Sequence, residues 1–455
     1  MMKKCSATSC QQLGLFLLLN LILGLSVAYA QEDAKAVATP LQPVTSSEFV
    51  SSAEQKLTSP PTSSFDEQRG CQMPTCYSGD EESSFQLLRS GQRFKFSGWV
   101  ESGLYTNARG ATSRYAPNGG GLLQNSGNGP NFGPGLRTTD YNMNQLLGRV
   151  AREMKCENGL DWGFQADLLY GMNGYEIQCE ESFDNGWGKD DYGFGFYQFY
   201  CELGYGNLSA RYGKFGTPIG WEETASWDNF FYSHSYCYEI EPYTHTGAMV
   251  YYQLTSGLKL AGGWTAGMES SFANRYGDQA YITGLELAVT QKSTLYYYNT
   301  LGTLKNGLDK DGNNRFASRL DADYFIQSLC FEWLPMKNWT YVCQYNMHNW
   351  NEIGGERVSA YGINNHLLYK IDDKWGVGFR AEWLRDNGVL AYTDARGNNR
   401  NSDYIQLTLG LNFSPTEYLR IRPEIRYDHS YKNAMFAYGT KKEQLSGGFA
   451  VLYGF

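Results

Sequence analysis

Ile405-Gln406-Leu407-Thr408-Leu409-Gly410-Leu411-Asn412-Phe413 is the stretch that decides the fold. Every second residue is large and apolar, and those between are polar or glycine. Side chains of an extended strand point alternately to opposite faces, so this spacing builds one apolar and one polar face. Working outward, Trp375, Val377, Phe379, Ala381 and Trp383 alternate with Gly376, Gly378, Arg380 and Glu382. Leu419, Ile421, Pro423, Ile425 and Tyr427 likewise alternate with Arg420, Arg422, Glu424, Arg426 and Asp428. A helix would scatter those charges round its circumference. The same period runs from Phe94 to the C-terminus, where Phe449, Val451, Tyr453 and Phe455 end the chain on an aromatic residue.

The connections carry the next inference. Tight turns are expected at Glu157-Asn158-Gly159, Gly206-Asn207, Thr255-Ser256-Gly257, Gln291-Lys292-Ser293, Pro335 to Asn338, Asp372-Asp373 and Ser414 to Glu417. Longer polar loops lie between them, such as Asn107 to Thr138, Asn173 to Asp191 and Leu304 to Ser318. A soluble sandwich has no reason to alternate short and long connections. A barrel crossing a bacterial outer membrane does, with turns at one rim and loops at the other. The expectation is an all-β, antiparallel, up-and-down transmembrane β-barrel of about sixteen strands over 91–455, both ends at one rim.

The rest of the chain fits that compartment. Lys3 and Lys4, the apolar run Leu13 to Leu25 and Ala28-Tyr29-Ala30 read as a signal peptide, 1–30, cleaved near Ala30. That run is shorter than the ~20 residues a spanning helix needs, and nothing later is longer, which excludes a helical inner-membrane protein. Residues 31–90, with Pro60-Pro61-Thr62-Ser63-Ser64 as their type, hold few apolar side chains and are expected to be a flexible periplasmic segment. Acidic residues outnumber basic ones, 47 to 38, which argues against a nucleic-acid partner. Aromatic residues form 15% of the chain, as rims at a bilayer interface require. Ten cysteines, less Cys5 and Cys10 in the signal, leave an even number for an oxidising compartment. Candidate disulfides are Cys71 with Cys76, Cys330 with Cys343 across the turn at Pro335, and Cys179 with Cys237 between neighbouring long loops.

One region resembles a known family. Gly213-Lys214-Phe215, Pro218-Ile219-Gly220, Asn229-Phe230-Phe231-Tyr232-Ser233-His234-Ser235-Tyr236, and Glu241-Pro242 ahead of Thr244-His245-Thr246-Gly247 match, in kind and order, the OmpL-like β-barrel porin family. The resemblance implies an outer-membrane pore. Its cargo is then expected to be small hydrophilic solutes crossing by passive diffusion, with outer-membrane lipid around it. The terminal aromatic on an alternating strand resembles the signal read by the barrel-assembly machinery.

Candidate chemistry is sparse. His234, Ser235 and Asp228 invite a Ser-His-Asp reading, which makes a lipase-like barrel enzyme the competing function and a surface adhesion β-protein a third. Zinc-like Cys/His spacing is missing from the sequence, so neither metal nor cofactor is expected. Asp309-Lys310-Asp311-Gly312-Asn313 looks like a calcium loop, but its glycine comes early and Leu320 stands where a glutamate is needed. The charges on the polar phase say more. Arg211, Arg380, Arg420, Arg422 and Arg426 should face the lumen, while Glu222, Glu223, Asp228, Glu239 and Glu241 lie in the third long loop. A basic wall opposite an acidic loop would set a transverse field at a constriction. The pore is then expected to be at most weakly cation-selective, turning more so when Arg422 and Arg426 become alanine. Arginine should be costly at lipid-facing Leu409 and tolerated at Thr408.

Overall fold

The computed structural model describes residues 94–107, 141–154 and 159–455, apart from 180–181, 185, 190–191, 274–276, 305–306, 309–313, 317–321, 354–355, 390–401, 433, 435 and 437–440. Sixteen long antiparallel strands follow one another round a single closed sheet. The first four are β1 Phe94–Asn107, β2 Tyr141–Arg152, β3 Asp161–Gly171 and β4 Tyr192–Tyr205. Next come β5 Leu208–Gly216, β6 Thr244–Thr255, β7 Leu258–Met268 and β8 Gln279–Thr290. Then β9 Ser293–Leu304, β10 Ala322–Trp333, β11 Trp339–Ile353 and β12 Glu356–Lys370. The last four are β13 Trp375–Asp386, β14 Ser402–Thr416, β15 Leu419–Ser430 and β16 Glu443–Gly454. β16 pairs back onto β1 from Trp99↔Gly454 to Asn107↔Ser446, leaving no open edge. Phe455 seals the seam by exchanging two backbone hydrogen bonds of 2.9 Å with Gly98.

The two faces follow the alternation. Leu407, Leu409, Leu411, Phe379 and Ile425 point outward and are exposed, with Leu409 at 51%. Gln406, Thr408 and Asn412, between them in sequence, are buried inside. Trp162, Tyr205, Tyr252, Trp333, Trp375 and Tyr418 ring the short-turn rim with exposed side chains. Trp375 stacks on Phe413 at 4.3 Å and Trp339 packs on Tyr369 at 4.6 Å, as expected of a belt at a membrane–water boundary. No helix of the described residues is long and apolar enough to cross a membrane.

Most of the expected tight turns are present, with two adjustments. β14 and β15 stay paired to Thr416↔Leu419, so their turn is Glu417-Tyr418, later than Ser414. β11 and β12 pair as far as Ile353↔Glu356, which makes one outer connection two residues long and breaks the short–long alternation there. Of Glu157-Asn158-Gly159 only Gly159 is described. The signal peptide, the 31–90 segment, Cys71, Cys76 and the loop Asp309–Asn313 lie outside the described residues.

The expected disulfides between described residues are not formed. Cys330 stands opposite Gln344 and Cys343 opposite Phe331, a one-residue offset. Alternation then turns Cys330 inward and Cys343 outward, on opposite faces of the sheet, and both are free thiols. Cys179 and Cys237 are free and buried apart, each among its own partners. Cys179 Sγ lies 3.1 Å from Lys214 Nζ, and Cys237 N donates to Glu382 at 2.5 Å.

Candidate functional site, an inner loop held by arginines

Residues 217–243 join β5 to β6, and their base is closed by a 3.1 Å hydrogen bond from Thr217 N to Tyr243 O. The loop does not stand out from the rim; it folds against the inner wall. A 3-10 turn, Ser226–Asp228, and the short helix Tyr236–Glu239 are its only regular pieces. Too short to satisfy its own backbone, the loop borrows partners from the strands, because a buried unpaired carbonyl or amide is costly.

Arginines supply most of the donors. Arg420 Nη1 donates to Trp227 O at 2.8 Å, and Arg422 Nη1 reaches Ser226 O and Asn229 O, each at 2.8 Å. Arg380 donates to Ser233 O at 2.7 Å and His234 O at 3.1 Å, and Arg426 to His234 O at 2.6 Å. Arg380, Arg422 and Arg426 are 0–1% exposed and Arg420 5%. Each of three also has a carboxylate: Arg380 with Glu222 at 2.5 Å, Arg426 with Asp428 at 2.8 Å, and Arg422 with Glu101. Guanidinium groups tolerate such burial only when their donors and charge are matched.

Carboxylates take the loop's amides. Glu424 accepts from Tyr232 N at 2.8 Å and Ser233 N at 3.2 Å, and Glu382 accepts from Tyr236 N at 2.7 Å. Gln145 on β2 donates to Thr224 O at 2.7 Å and accepts from Ser226 N at 3.1 Å. The Phe230 ring lies on Gly378, where any β-carbon would collide with it. Sequence reasoning placed Glu382 and Glu424 on the inward phase but gave them no role, since a role needs a partner far along the chain.

The loop's acids divide into two groups. Burial opposes ionisation of Glu222, but the Arg380 guanidinium outweighs it and holds the carboxyl well below the usual range. Glu241 is buried, accepts from Gln344 at 2.5 Å and from Asn346, and is pushed well above the usual range by that burial. Glu223, Asp228 and Glu239 are only partly buried. Burial, then the charge of Asp228, raises Glu223 to about 8. Burial, then Glu176 from the helix Met172–Glu176, raises Glu239 well above the ordinary value.

Arg211 is placed apart from these, on β5. It pairs with Glu202 at 2.6 Å and sits 4.0 Å over the Tyr200 ring. The inner wall beside it is largely apolar, built from Phe215, Met249, Tyr251, Ile282, Tyr298 and Tyr324. At the short-turn rim a cavity of about 340 Å³ opens below Phe230, between Lys292, Lys337, Lys370 and Trp339.

The Ser-His-Asp reading finds a different arrangement. Ser235 Oγ donates to Glu222 at 2.8 Å and caps the helix Tyr236–Glu239 by accepting from Tyr238 N at 3.2 Å. His234 stacks on Tyr238 at 3.8 Å, with Nδ1 3.7 Å from Glu222. Among the described residues no group of three or more His, Cys, Asp or Glu could hold a metal ion.

Comparison with known proteins places this arrangement. A family described as "putative beta-barrel porin-2, OmpL-like" matches residues 93–455. No curated protein sequence matches the chain. Among solved structures, the trimer form of Vibrio cholerae OmpT is 11% identical, covering 80% of this chain and 99% of that one, with a TM-score of 0.50. Pseudomonas putida OprB is 13% identical, covering 80% and 94%, also with a TM-score of 0.50. At these identities the structural likeness speaks for the fold alone.

Proposed function

The chain belongs to this porin family and is a channel of the bacterial outer membrane, and on that premise we propose that it passes small hydrophilic solutes by passive diffusion, with a preference for cations. The observation carrying the preference is the division of charge across the inner loop. Its arginine-held side is buried, whereas Glu223, Asp228 and Glu239, with Glu176 beside them, keep part of their surface exposed, and we assign that surface to the lumen because the loop lies inside the barrel. Charge that solutes can approach governs selectivity, because fields are screened over about 8 Å at physiological salt. A guanidinium matched to a carboxylate and loop carbonyls projects little net field beyond them. We therefore assign Arg380, Arg420, Arg422 and Arg426 to clamping the loop, and the acids to the conducting face.

No turnover chemistry belongs to this reading, since Ser235 is engaged as a helix cap. Cleavage near Ala30 and folding by the barrel-assembly machinery complete it. Reversal potentials across a planar bilayer under a potassium chloride gradient test the proposal. At pH 9, where Glu223 is ionised, wild type should be cation-selective, and Glu223→Gln with Glu239→Gln should move the potential toward zero. An anion-selective or non-conducting wild type refutes it. Lipid-ester hydrolysis lost in His234→Ala would favour the enzyme instead.

A further inference from the structure

The cavity below Phe230 has two unlike halves, and the deeper one is apolar. Thr340 stands opposite Leu368, Leu368 opposite Gly378, and Lys370 opposite Gly376. Residues directly opposite one another on paired strands share a face. Gly378 lies under the Phe230 ring, so that shared face is the inward one. Leu368 therefore floors the cavity from inside the barrel and Phe230 closes its far end, both buried. Leu334 and Met336, exposed in the turn between β10 and β11, border the mouth.

The mouth is basic. Lys292, Lys337 and Lys370 come from three successive short connections and all line this one space. Backbone hydrogen bonds tie the connections together, from Leu334 N to Lys292 O at 2.8 Å and from Lys370 N to Asn338 O at 2.9 Å. No carboxylate is among the lining residues. Of the acids nearby, Glu332 lies beyond the lining, and Asp372 caps its own turn by accepting from Lys374 N and Trp375 N, each at 2.8 Å. Asp373 meets Lys370 at 3.1 Å, but it is 81% exposed, so that pair is weak and exchangeable. The chain as a whole carries a net charge of −9. Within a screening length of ~8 Å the three lysines nonetheless set the local sign.

We propose that this cavity binds a water-soluble organic anion, its charge at the lysines and its apolar body against Leu368 and Phe230. At about 340 Å³ the space lies near the lower end of small-molecule pockets, which run ~300–1,000 Å³. A dry cavity of ~150 Å³ takes one benzene, so a body of roughly two fused rings fits here. The floor belongs to the inward face, which the sheet walls off from the bilayer. The occupant therefore enters from the aqueous mouth and is not an acyl-chain lipid. The inference does not depend on which ions the pore prefers, because it is read as binding.

The probe is 2-naphthoate, titrated calorimetrically into the full chain in nanodiscs of zwitterionic phosphatidylcholine, with empty nanodiscs subtracted. Binding should saturate. Lys292→Gln with Lys337→Gln should weaken it at least about tenfold, since charge-assisted contacts are lost, whereas Lys292→Arg with Lys337→Arg should keep it. Both lysines are exposed in turns, so these variants still fold. Lys374→Gln, on the same rim but outside the lining, is the control and should bind as wild type does. Two partial probes separate the halves of the site: 2-naphthalenemethanol has the body without the charge, and acetate the charge without the body. Each should bind at least about tenfold more weakly than 2-naphthoate. No saturable binding, indifference to the glutamine pair, an equal loss in Lys374→Gln, or a partial probe binding as tightly would each overturn the proposal. Displacement of 2-naphthoate by phosphatidylglycerol added to the disc would assign the cavity to a lipid headgroup and overturn it as well.

Discussion

Arg380 of β13 and Glu222 of the inner loop meet at 2.5 Å, with side chains 0% and 6% exposed, across 158 residues of sequence. Removing one partner of a buried pair leaves the other charge uncompensated, at a cost of about 3–5 kcal/mol. Arg380→Ala and Glu222→Ala should each lower the thermal unfolding midpoint strongly. Arg380→Met with Glu222→Leu should cost well below the sum of the two singles. Additive effects in that double-mutant cycle would show the pair is not coupled.

Selectivity should depend on pH near neutrality. Glu223 is faced by Asp228 in its own loop, by Tyr197 from β4 and by Arg149 from β2, and its carboxyl titrates at about 8. Below that it is largely neutral, so cation preference should rise from pH 7 to pH 9, and Glu223→Gln should flatten the rise. The folded value exceeds the unfolded one, so this group stabilises the docked loop fully in acid, and that contribution is lost as pH rises through about 8. A profile equally steep in the variant would assign the titration elsewhere.

Loop docking should yield to a single side chain under Phe230. Gly378→Val forces the ring off the wall, and overpacking of this kind costs about 1–3 kcal/mol. The barrel should still assemble and run as a folded species, with larger and noisier single-channel steps. Unchanged steps would mean the loop does not restrict the lumen.

The midplane prediction needs amending on its inward side. Leu409→Arg should cost about 2–4 kcal/mol and impair insertion. Thr408 stands in register with Arg380 on one neighbouring strand and Arg426 on the other. Thr408→Arg would therefore bury a third guanidinium between two, and it should impair folding rather than be tolerated. Thr408→Ser should be accepted, and comparable assembly of Leu409→Arg and Thr408→Ser would overturn the phase assignment.

Local alternation is a property of adjacent residues, and that is why strand faces, strand number and the inward phase of Arg380, Arg420, Arg422 and Arg426 were legible in the chain by itself. A side chain two positions on returns to the same face whatever surrounds it. Where those arginines end was not legible. It depends on residues 217–243 turning inward and meeting strands that lie 145–196 positions away, and no short-range pattern encodes such a contact. The cysteines show the same limit at smaller scale. Cys330 and Cys343 flank their turn almost evenly, yet the observed register pairs Cys330 with Gln344. A shift of one residue, settled by how two strands pack into a closed sheet, sends the two thiols to opposite faces.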